Sequence, residues 1–416
     1  MKFLFANKFF YPAGGQEVYL RELSAILAAH GHEVVPFAMR HPKNWPTPYE
    51  KYFTGNVDYG DTSIRKNQLG KVGALVKSAY SAEARKKIDK LLEDTRPDIA
   101  HLFSIAYQLT PSIIYPIRKR GIPIVISVNE YKLVCPNQRL YIQHKYEICE
   151  KCVGSRYYSA PLKKCIKDSY IASAVGALET YLYERLGTYR KHVDIFVVAT
   201  DFMAELLKGV GIAPEKIRKL HNPLRLSGYT PSYENEGYVL YFGRLSEDKG
   251  VKTLLDAVRR SPEVMLKVVG GGKEEPSLKD MVRSWGARNI EFLGPVWDDD
   301  MKRLLAGAKF IVVPSEWYEN SPYVIYQSFA MGKPVVGSDI KGGIPELVKD
   351  GENGLLFRPC DAGDLKAKIT RLYNDDERVK AMGKRARLDA ESLFGEENSY
   401  ANFMDVYEGL LERRQR

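Results

Sequence analysis

Acidic, amide and glycine residues recur at the turns of one stretch of the chain, residues 314–354. Glu319 and Asn320 follow a short apolar run that predicts a strand, and Gly342 and Gly343 follow the next such run. A helical segment separates the two runs, and in an open α/β sheet ligands bind outside the carboxyl ends of the strands. We therefore expect both loops to face one crevice, and we place the chemistry of the protein there.

Glycine-rich turns suit the binding of phosphate. Gly14 and Gly15 lie between a predicted strand at residues 2–7 and a predicted helix at residues 17–29. Glycines allow close approach of the backbone, and the start of a helix favours anions, so this loop could cradle a phosphate group. A plain tight turn explains the glycine pair equally well.

Four of the five cysteines fall in an insertion, residues 129–168, which interrupts the alternation of strands and helices: Cys135, Cys149, Cys152 and Cys165. Four thiolates could hold a structural zinc ion and would fill its tetrahedral shell, leaving no open position for catalysis. In an intracellular protein, metal is a better interpretation than disulfides. Four reduced thiols that are merely close together remain the alternative, and an oxidised pair is a third.

The elements that position these groups alternate between strand and helix, which predicts an α/β protein with doubly wound parallel sheets. A chain of 416 residues exceeds what one hydrophobic core usually spans, so we predict two domains. The first covers residues 1–225 and the second covers residues 238–395. A linker at 226–237, rich in Gly, Pro, Ser and acidic residues, joins them. A C-terminal helix at 396–416 is predicted to pack back on the first domain.

Three further predictions concern the first domain. Residues 42–70 are polar, aromatic and proline-containing, which indicates an irregular surface excursion. Residues 72–93 are predicted to form a helix with a basic face. Residues 169–190 are predicted to form one continuous helix.

The formal net charge of +10 is unevenly distributed. Residues 1–225 hold 34 Lys/Arg and 21 Asp/Glu, whereas the remainder holds 28 and 31. A basic half suits an anionic partner such as lipid head groups, although scattered solubilising lysines explain the charge equally well. No apolar run approaches the ~20 residues that a membrane helix needs, and the N-terminal apolar stretch is too short for a signal peptide. We expect a cytoplasmic protein with no nucleic-acid partner.

The order in which several sequence motifs occur along the chain resembles the retaining GT-B glycosyltransferases of the family-4 type. This family is also described as glycosyl transferases group 1. The resemblance runs from YPAGGQEVYLRELSAILAAHGHEV through FGRLSEDKGVKTLLDAV to residues 314–354. It implies two Rossmann-like domains facing a cleft. In that family the motif GR-x-x-x-x-KG supplies an arginine and a lysine that bind the diphosphate of the sugar donor. The corresponding residues here are Arg244 and Lys249. A planar Arg fork and a Lys point charge complement phosphate oxygens without a metal.

The resemblance also implies the roles of individual residues. Glu319 would contact hydroxyls of the donor sugar, and the predicted catalytic residues are Glu319, Arg244, Lys249 and Asn129. The predicted donor-binding residues are Gly14, Gly15, Gly243, Gly270, Gly271, Asn320, Ser321, Pro322, Gln327, Gly342 and Gly343.

Two positions depart from the family pattern. Gln327 stands eight residues after Glu319, where relatives have a second glutamate that binds the ribose hydroxyls. Glutamine offers one carbonyl oxygen but no charge, so nucleotide binding would be weakened or altered. Asn129 stands where many relatives have a histidine that reaches the transferred sugar; asparagine can bind a hydroxyl but cannot shuttle a proton.

The sequence thus predicts a retaining hexosyltransferase-like enzyme that uses a UDP-, GDP- or ADP-sugar, with no cofactor required for catalysis. Its acceptor would be a saccharide or a lipid-linked molecule, and its pathway would be the synthesis of a cell-surface polysaccharide or glycolipid. The enzyme would make peripheral contact with the anionic inner face of the membrane. The alternative is a catalytically reduced GT-B protein acting as a binding or regulatory subunit. The interpretation of Glu316 and Glu319 as the paired catalytic carboxylates of a glycosidase is disfavoured, because a diphosphate-binding motif has no role in hydrolysis.

Overall fold

The computed structural model describes residues 1–56 and 80–415, which form two compact units. Unit 1 consists of Met1–His221 and the chain from Tyr400 onward, and unit 2 consists of Asn222–Ser399. The chain therefore passes from unit 1 to unit 2 just before the predicted linker and returns within the last helix.

The main sheet of unit 1 has six strands in the order β2-β1-β3-β4-β7-β8, and all neighbours are parallel. A short antiparallel pair, β5 and β6, lies in the cysteine-containing insertion. The strands are β1 (Lys2–Ala6), β2 (Glu33–Phe37), β3 (Ile99–Leu102), β4 (Ile124–Ser127), β5 (Tyr141–Ile142), β6 (Glu147–Ile148), β7 (Ile195–Val198) and β8 (Ile217–Lys219).

Several helices of unit 1 begin at side-chain caps. Ser81, Ser169 and Thr200 each accept a hydrogen bond from the backbone amide three residues later, which satisfies a donor that the first helical turn leaves open. The described helices before residue 222 are α1 (Gly15–Ala29), α2 (Ala82–Thr95), α3 (Ile114–Lys119), α4 (Ser159–Lys163), α5 (Tyr170–Leu186), α6 (Thr188–His192) and α7 (Asp201–Gly209).

Unit 2 has a six-stranded parallel sheet in the order β11-β10-β9-β12-β13-β14. Its strands are β9 (Tyr238–Phe242), β10 (Met265–Val269), β11 (Ile290–Gly294), β12 (Ala308–Val313), β13 (Val335–Ser338) and β14 (Gly354–Phe357). The central strands are buried on both faces and consist largely of Val, Ile, Leu and aromatic residues, as expected where helices cover both sides of a parallel sheet.

Helices follow most strands of unit 2, and two long helices end the chain. They are α8 (Val251–Arg259), α9 (Glu275–Trp285), α10 (Asp298–Gly307), α11 (Tyr323–Ala330), α12 (Gly343–Leu347), α13 (Ala362–Tyr373), α14 (Asp376–Phe394) and α15 (Glu396–Gln415). The sheets and helices confirm the predicted fold class of two doubly wound α/β domains.

Three details differ from the sequence predictions or extend them. The predicted single helix at residues 169–190 is two helices, because Gly187 adopts a left-handed conformation with φ of 67° and ends α5. The edge strand β14 and helix α13 were not predicted. About half of the predicted excursion at 42–70, and the first residues of the helix predicted at 72–93, lie outside the described residues.

No helix in the described part of the chain is both long enough and apolar enough to cross a membrane.

Candidate active site

The loop after β12, which is one of the two loops predicted to carry the chemistry, lies with the loop after β9 at the topological switch point of unit 2. The chain builds one side of the sheet from β9 to β11 and then returns to pair β12 with β9. Loops at the carboxyl ends of two such strands lead away to opposite sides and leave a crevice between them. The backbone also joins these two loops, because the amide of Glu316 donates to the carbonyl oxygen of Asp248 at 2.9 Å.

Lys249 and Glu319 connect the same two loops through their side chains. The ammonium nitrogen of Lys249 donates to Oε1 of Glu319 at 2.5 Å, and the two side chains are only 18% and 8% exposed. Ser315 Oγ donates to the same carboxylate oxygen at 2.7 Å. The ammonium group also lies 5.2 Å from the centre of the Trp317 ring. Charge-assisted bonds of this kind are strong and directional, so both side chains are held in place.

Arg244 follows β9 in the same loop as Lys249. Its side chain is 57% exposed, and one guanidinium nitrogen lies 3.8 Å from a carboxylate oxygen of the buried Asp248. Its backbone carbonyl accepts a hydrogen bond from Tyr241 Oη at 2.7 Å. The backbone is therefore anchored, while the exposed guanidinium group remains accessible to an anion.

Gly342 and Gly343 pack directly against the loop of Glu319. The amide of Gly343 donates to the carbonyl oxygen of Glu319 at 2.7 Å. Gly342 has φ of 116°, and a Cβ atom there would lie 2.3 Å from that oxygen. A Cβ atom at Gly343 would lie 2.2 Å from the carbonyl oxygen of Asn320. Only glycine permits this approach, so the loops after β12 and β13 meet at one edge of the sheet.

The loops after β9 and β10 are joined in the same manner. The amide of Gly243 donates to the carbonyl oxygen of Val269, and the amide of Leu245 donates to that of Gly271, both at 3.0 Å. Gly270 has φ of 130°, and a Cβ atom there would lie 1.9 Å from the carbonyl oxygen of Gly243. The structure thus brings the three predicted glycines of these loops together beside the arginine.

Hydrogen bonds within unit 2 also fix the polar residues around α11. The hydroxyl oxygens of Ser321 and Tyr326 lie 2.7 Å apart, and Pro322 immediately precedes the helix. The side-chain amide nitrogen of Gln327 donates to Tyr229 Oη at 3.1 Å. This contact uses the nitrogen of Gln327 and not its carbonyl oxygen.

The remaining predicted site residues lie in unit 1. Gly14 and Gly15 are exposed at the start of α1. Asn129 follows the end of β4 by two residues, and its Nδ2 atom is buried with no hydrogen-bond partner among the described residues. A buried donor without a partner is unfavourable by about 1–3 kcal/mol, which an acceptor atom of a ligand would offset.

The sequence analysis missed a polar cluster at the same edge of the unit 1 sheet. Lys8 Nζ lies 3.5 Å from a carboxylate oxygen of Glu130, and Ser104 Oγ donates to the other oxygen at 2.7 Å. Asn7 Nδ2 donates to the carboxylate of the buried Glu17 at 3.1 Å. Burial raises the pKa of Glu17 above its ordinary value, although the hydrogen bond from Asn7 opposes the shift.

A signal for this cluster was present in the sequence. Asn7 and Ser104 stand directly after apolar strand segments, and Glu17 lies in the first turn of the helix after the glycine pair. Polar residues at the carboxyl ends of parallel strands are candidates for ligand contact wherever they occur.

Comparison with known sequence families identifies the chain. The family model described as Glycosyltransferase Family 4 matches residues 13–227, which is more than half of the chain. The model described as Glycosyl transferases group 1 matches residues 227–389. The chain belongs to glycosyltransferase family 4.

A relative supports this assignment, and two solved structures share the fold. The glycosyltransferase is 30% identical to the lipopolysaccharide core biosynthesis glycosyltransferase LpsE of Rhizobium meliloti over 256 residues, which are 59% of this chain and 70% of the relative. It is similar to the structure of Anabaena HepE in complex with UDP-glucose, with a TM-score of 0.65, 17% identity and coverage of 98% of this chain and 100% of that chain.

Sucrose-phosphate synthase from Thermosynechococcus elongatus has a TM-score of 0.73 against this glycosyltransferase, with 18% identity and coverage of 99% and 100% of the two chains. At these identities the likeness shows the fold. The predicted family and fold class are thereby confirmed.

The cysteines of the insertion are free thiols in this glycosyltransferase. Within the described part of the chain, no group of three or more His, Cys, Asp or Glu side chains is arranged to hold a metal ion. Burial raises the pKa of Cys152 and of Cys165 to about 12, and neighbouring thiols of the insertion contribute to both shifts. The structural zinc site at Cys135, Cys149, Cys152 and Cys165 stays a prediction. Metal analysis of the purified protein tests this prediction. A zinc content below about half an equivalent per chain would count against the site.

Proposed function

We propose that this glycosyltransferase moves a sugar from a nucleotide-sugar donor to a saccharide or lipid-linked acceptor with retention of anomeric configuration. The observation that carries the proposal is the Lys249–Glu319 pair, which stands at the switch point of the unit 2 sheet in the loops that also carry Arg244. These loops offer cations to a diphosphate and a carboxylate to sugar hydroxyls from one crevice.

The side chains of these loops suit the diphosphate and the sugar of a nucleotide-sugar donor. Arg244 presents a planar fork that can bind two phosphate oxygens, and Lys249 keeps N–H groups beyond the one that it gives to Glu319. Both observed hydrogen bonds to Glu319 end on Oε1, so Oε2 is the oxygen that we assign to a sugar hydroxyl. The solved HepE complex contains UDP-glucose, which makes a UDP-sugar the first donor to test, followed by GDP- and ADP-sugars.

The proposed reaction requires few titrating groups. The bond between the anomeric carbon and the donor phosphate oxygen breaks, the acceptor oxygen bonds to that carbon on the same face, and the acceptor proton passes to the leaving diphosphate. Negative charge grows on the diphosphate as the bond breaks, and Arg244 and Lys249 would stabilise it. No metal or cofactor is needed for this role. On unit 1, the buried Nδ2 of Asn129 is a donor suited to a substrate hydroxyl.

A second candidate function is a catalytically reduced protein that acts as a binding or regulatory subunit. The observation that favours it is the contact of Gln327, which gives its amide nitrogen to Tyr229 and has no carboxylate to offer a ribose. Asn129 adds to the argument because it cannot carry a proton. We favour the active enzyme, because the lysine–glutamate pair and the glycine contacts around it are complete.

A donor screen with the purified full chain tests the proposal. Thermal stabilisation is measured with UDP-, GDP- and ADP-sugars, and release of the nucleoside diphosphate is measured with saccharide and lipid-linked acceptors and with water alone. The active account predicts that one donor both stabilises the protein and is turned over, and proton NMR of the product should show the donor's anomeric configuration. Binding without turnover would support the subunit function, and binding of no donor would contradict both functions.

The pathway and the location follow from the same proposal. The name of the relative LpsE refers to lipopolysaccharide core biosynthesis, and we propose synthesis of a cell-surface polysaccharide or glycolipid for this chain. Nucleotide sugars are cytoplasmic substrates in that setting, so we propose that the enzyme works in the cytoplasm at the inner face of the membrane.

A further inference from the structure

Helix α5 directs its large apolar side chains outward. Ile171, Leu178, Leu182 and Leu186 are 69%, 66%, 48% and 49% exposed. Their spacing of seven, four and four residues places them on one face of the helix. Fourteen large hydrophobic side chains are exposed among the described residues, and nine of them lie between residues 146 and 186. The exposed apolar surface is therefore concentrated on this part of unit 1.

The inward face of α5 combines the apolar Ala177 and Tyr183 with several small or polar residues. Ser173, Gly176 and Thr180 are buried, and Thr180 Oγ1 donates to the carbonyl oxygen of Gly176 at 2.8 Å. The buried Glu179 pairs with the ammonium group of the buried Lys132. A surface helix normally places its apolar residues toward the core and its polar residues toward water. Helix α5 departs from this arrangement because its four large aliphatic side chains point outward, so its exposed apolar face is suited to a nonaqueous contact outside the fold.

Basic residues stand at both ends of this face. Lys164 lies just before α5, with its ammonium nitrogen 4.4 Å from the centre of the Tyr170 ring, and Lys167 is exposed nearby. Arg185 and Lys191 are exposed at the other end. From residue 145 to residue 191 the chain has nine Lys/Arg and five Asp/Glu. One of the five acids is Glu179, whose charge is buried and already paired, so the outward charge is positive.

We propose that the α5 surface, formed by Leu162, Ile171, Leu178, Leu182, Leu186 and the flanking Lys164, docks on an anionic lipid bilayer. Helix α5 has 17 residues and is about 25 Å long, so it would lie in the plane of the membrane interface. Its leucines enter the acyl boundary, its lysines meet anionic head groups, and its tyrosines occupy the level of the head groups that aromatic rings prefer.

The positive charge around the α5 surface favours an anionic bilayer over a second copy of the chain as the partner. Two copies that met through the same surface would place like charges together, whereas an anionic bilayer complements both the lysines and the apolar side chains. The inference deepens the membrane location that belongs to the proposed function, because it names the surface that makes the contact. Docking uses no nucleotide sugar and no residue of the candidate active site, so it can be tested whether or not the protein is active.

The test is flotation of the full chain with vesicles. Vesicles of phosphatidylcholine alone are compared with vesicles that also contain about one third phosphatidylglycerol, at low and at high salt. The wild-type protein should float with the anionic vesicles at low salt and bind the neutral vesicles at least tenfold less. The double variant Leu178→Glu/Leu182→Glu should lose at least tenfold of its binding. Leu388→Glu, at a leucine that is 61% exposed in unit 2, is the matched control and should bind like the wild type.

A second pair of variants tests the charges. Lys164→Gln/Lys167→Gln should weaken anionic binding severalfold, whereas Lys273→Gln, at a side chain that is 85% exposed in unit 2, should not. Circular dichroism melting confirms that each variant is folded. The proposal is overturned if the wild-type protein does not float with anionic vesicles, or if the leucine variant floats like the wild type. It is also overturned if sedimentation shows a dimer that the leucine variant dissolves while vesicle binding stays unchanged, because a second copy would then cover the surface.

Discussion

Lys249 Nζ donates to Oε1 of Glu319 across 2.5 Å, and this contact joins two loops whose residues are 70 positions apart in the chain. The loops leave neighbouring parallel strands, β9 and β12, at the one place in the unit 2 sheet where the chain changes direction. A cation and an anion are thus fixed side by side at the edge where ligands of such sheets bind. A diphosphate and a sugar hydroxyl present complementary groups to this pair.

The close contact of Gly343 with the Glu319 loop predicts a sharp effect of one methyl group. Gly343→Ala would place Cβ 2.2 Å from the carbonyl oxygen of Asn320, so the loop must shift. We expect a loss of about 1–3 kcal/mol of unfolding free energy, as for other overpacked sites. The matched control is Gly409→Ala, where a Cβ atom meets nothing within 4 Å inside a helix. That change should be neutral or stabilising by up to about 1 kcal/mol. Equal stability of the two variants in urea unfolding would contradict the described loop contact.

Gln327→Glu should alter the binding of the nucleotide more than the rate of transfer. The new carboxylate can accept a hydrogen bond from Tyr229 Oη, so the local contact persists with its direction reversed. A charged acceptor binds hydroxyl groups more strongly than an amide oxygen does, so we expect a severalfold lower KM for the donor and little change in kcat. Initial rates over a range of donor concentrations measure both constants. If turnover appeared only in the variant, the wild-type protein would be the reduced form instead of the active enzyme.

His101 predicts how the stability of unit 1 depends on pH. Its ring nitrogens lie 2.7 Å from Tyr407 Oη and 2.8 Å from Ser127 Oγ, and the side chain is fully buried. Burial lowers its pKa from 6.5 to about 3. Between these values the unfolded chain binds a proton that the folded chain does not bind. The contribution of His101 is therefore complete above about pH 6.5 and is lost as the pH falls toward 3, at up to about 1.4 kcal/mol per pH unit.

Urea unfolding between pH 7 and pH 4 measures this slope. His101→Gln should flatten it, even if the variant is less stable at every pH. His144→Gln, at the surface of the cysteine-containing insertion, should leave the slope unchanged. Parallel curves for the His101 variant and the wild type would show that the buried histidine does not control acid stability.

The periodic parts of the fold could be predicted from the sequence. Apolar runs gave most of the strands in both sheets, and apolar residues at helical spacing gave most of the helices. Two failures have local causes. Gly187 ends α5 because it adopts a left-handed conformation, yet the apolar spacing continues past it. The edge strand β14 begins at a glycine directly after a turn that contains Gly351, so the turn residues conceal its short apolar segment.

The candidate site was predictable as a set of residues but not as a set of contacts. The spacing of Arg244 and Lys249, and the position of Glu319, were visible in the chain through the family resemblance. The pairing of Lys249 with Glu319 depends on which strands are neighbours, and hydrophobic periodicity does not determine strand order. The same limit applies to Glu17, because its burial depends on the packing of α1 against the sheet.

The outward apolar face of α5 illustrates a different limit. The sequence predicted a helix here, but apolar spacing alone would assign its apolar face to the core. The buried Lys132–Glu179 pair lies on the inward side of α5, and the partner Lys132 is far outside the local pattern of the helix.

Calorimetric titration of the nucleoside diphosphate tests the central claim most directly, namely that Lys249 binds the donor diphosphate. UDP is the first ligand, followed by GDP and ADP, and the protein is compared with Lys249→Ala and with the control Lys252→Ala, an exposed lysine on α8. We predict that Lys249→Ala lowers the affinity at least about tenfold, which is about 1.4 kcal/mol, and that Lys252→Ala binds like the wild type. Wild-type affinity in Lys249→Ala would contradict the assignment of this loop to the diphosphate.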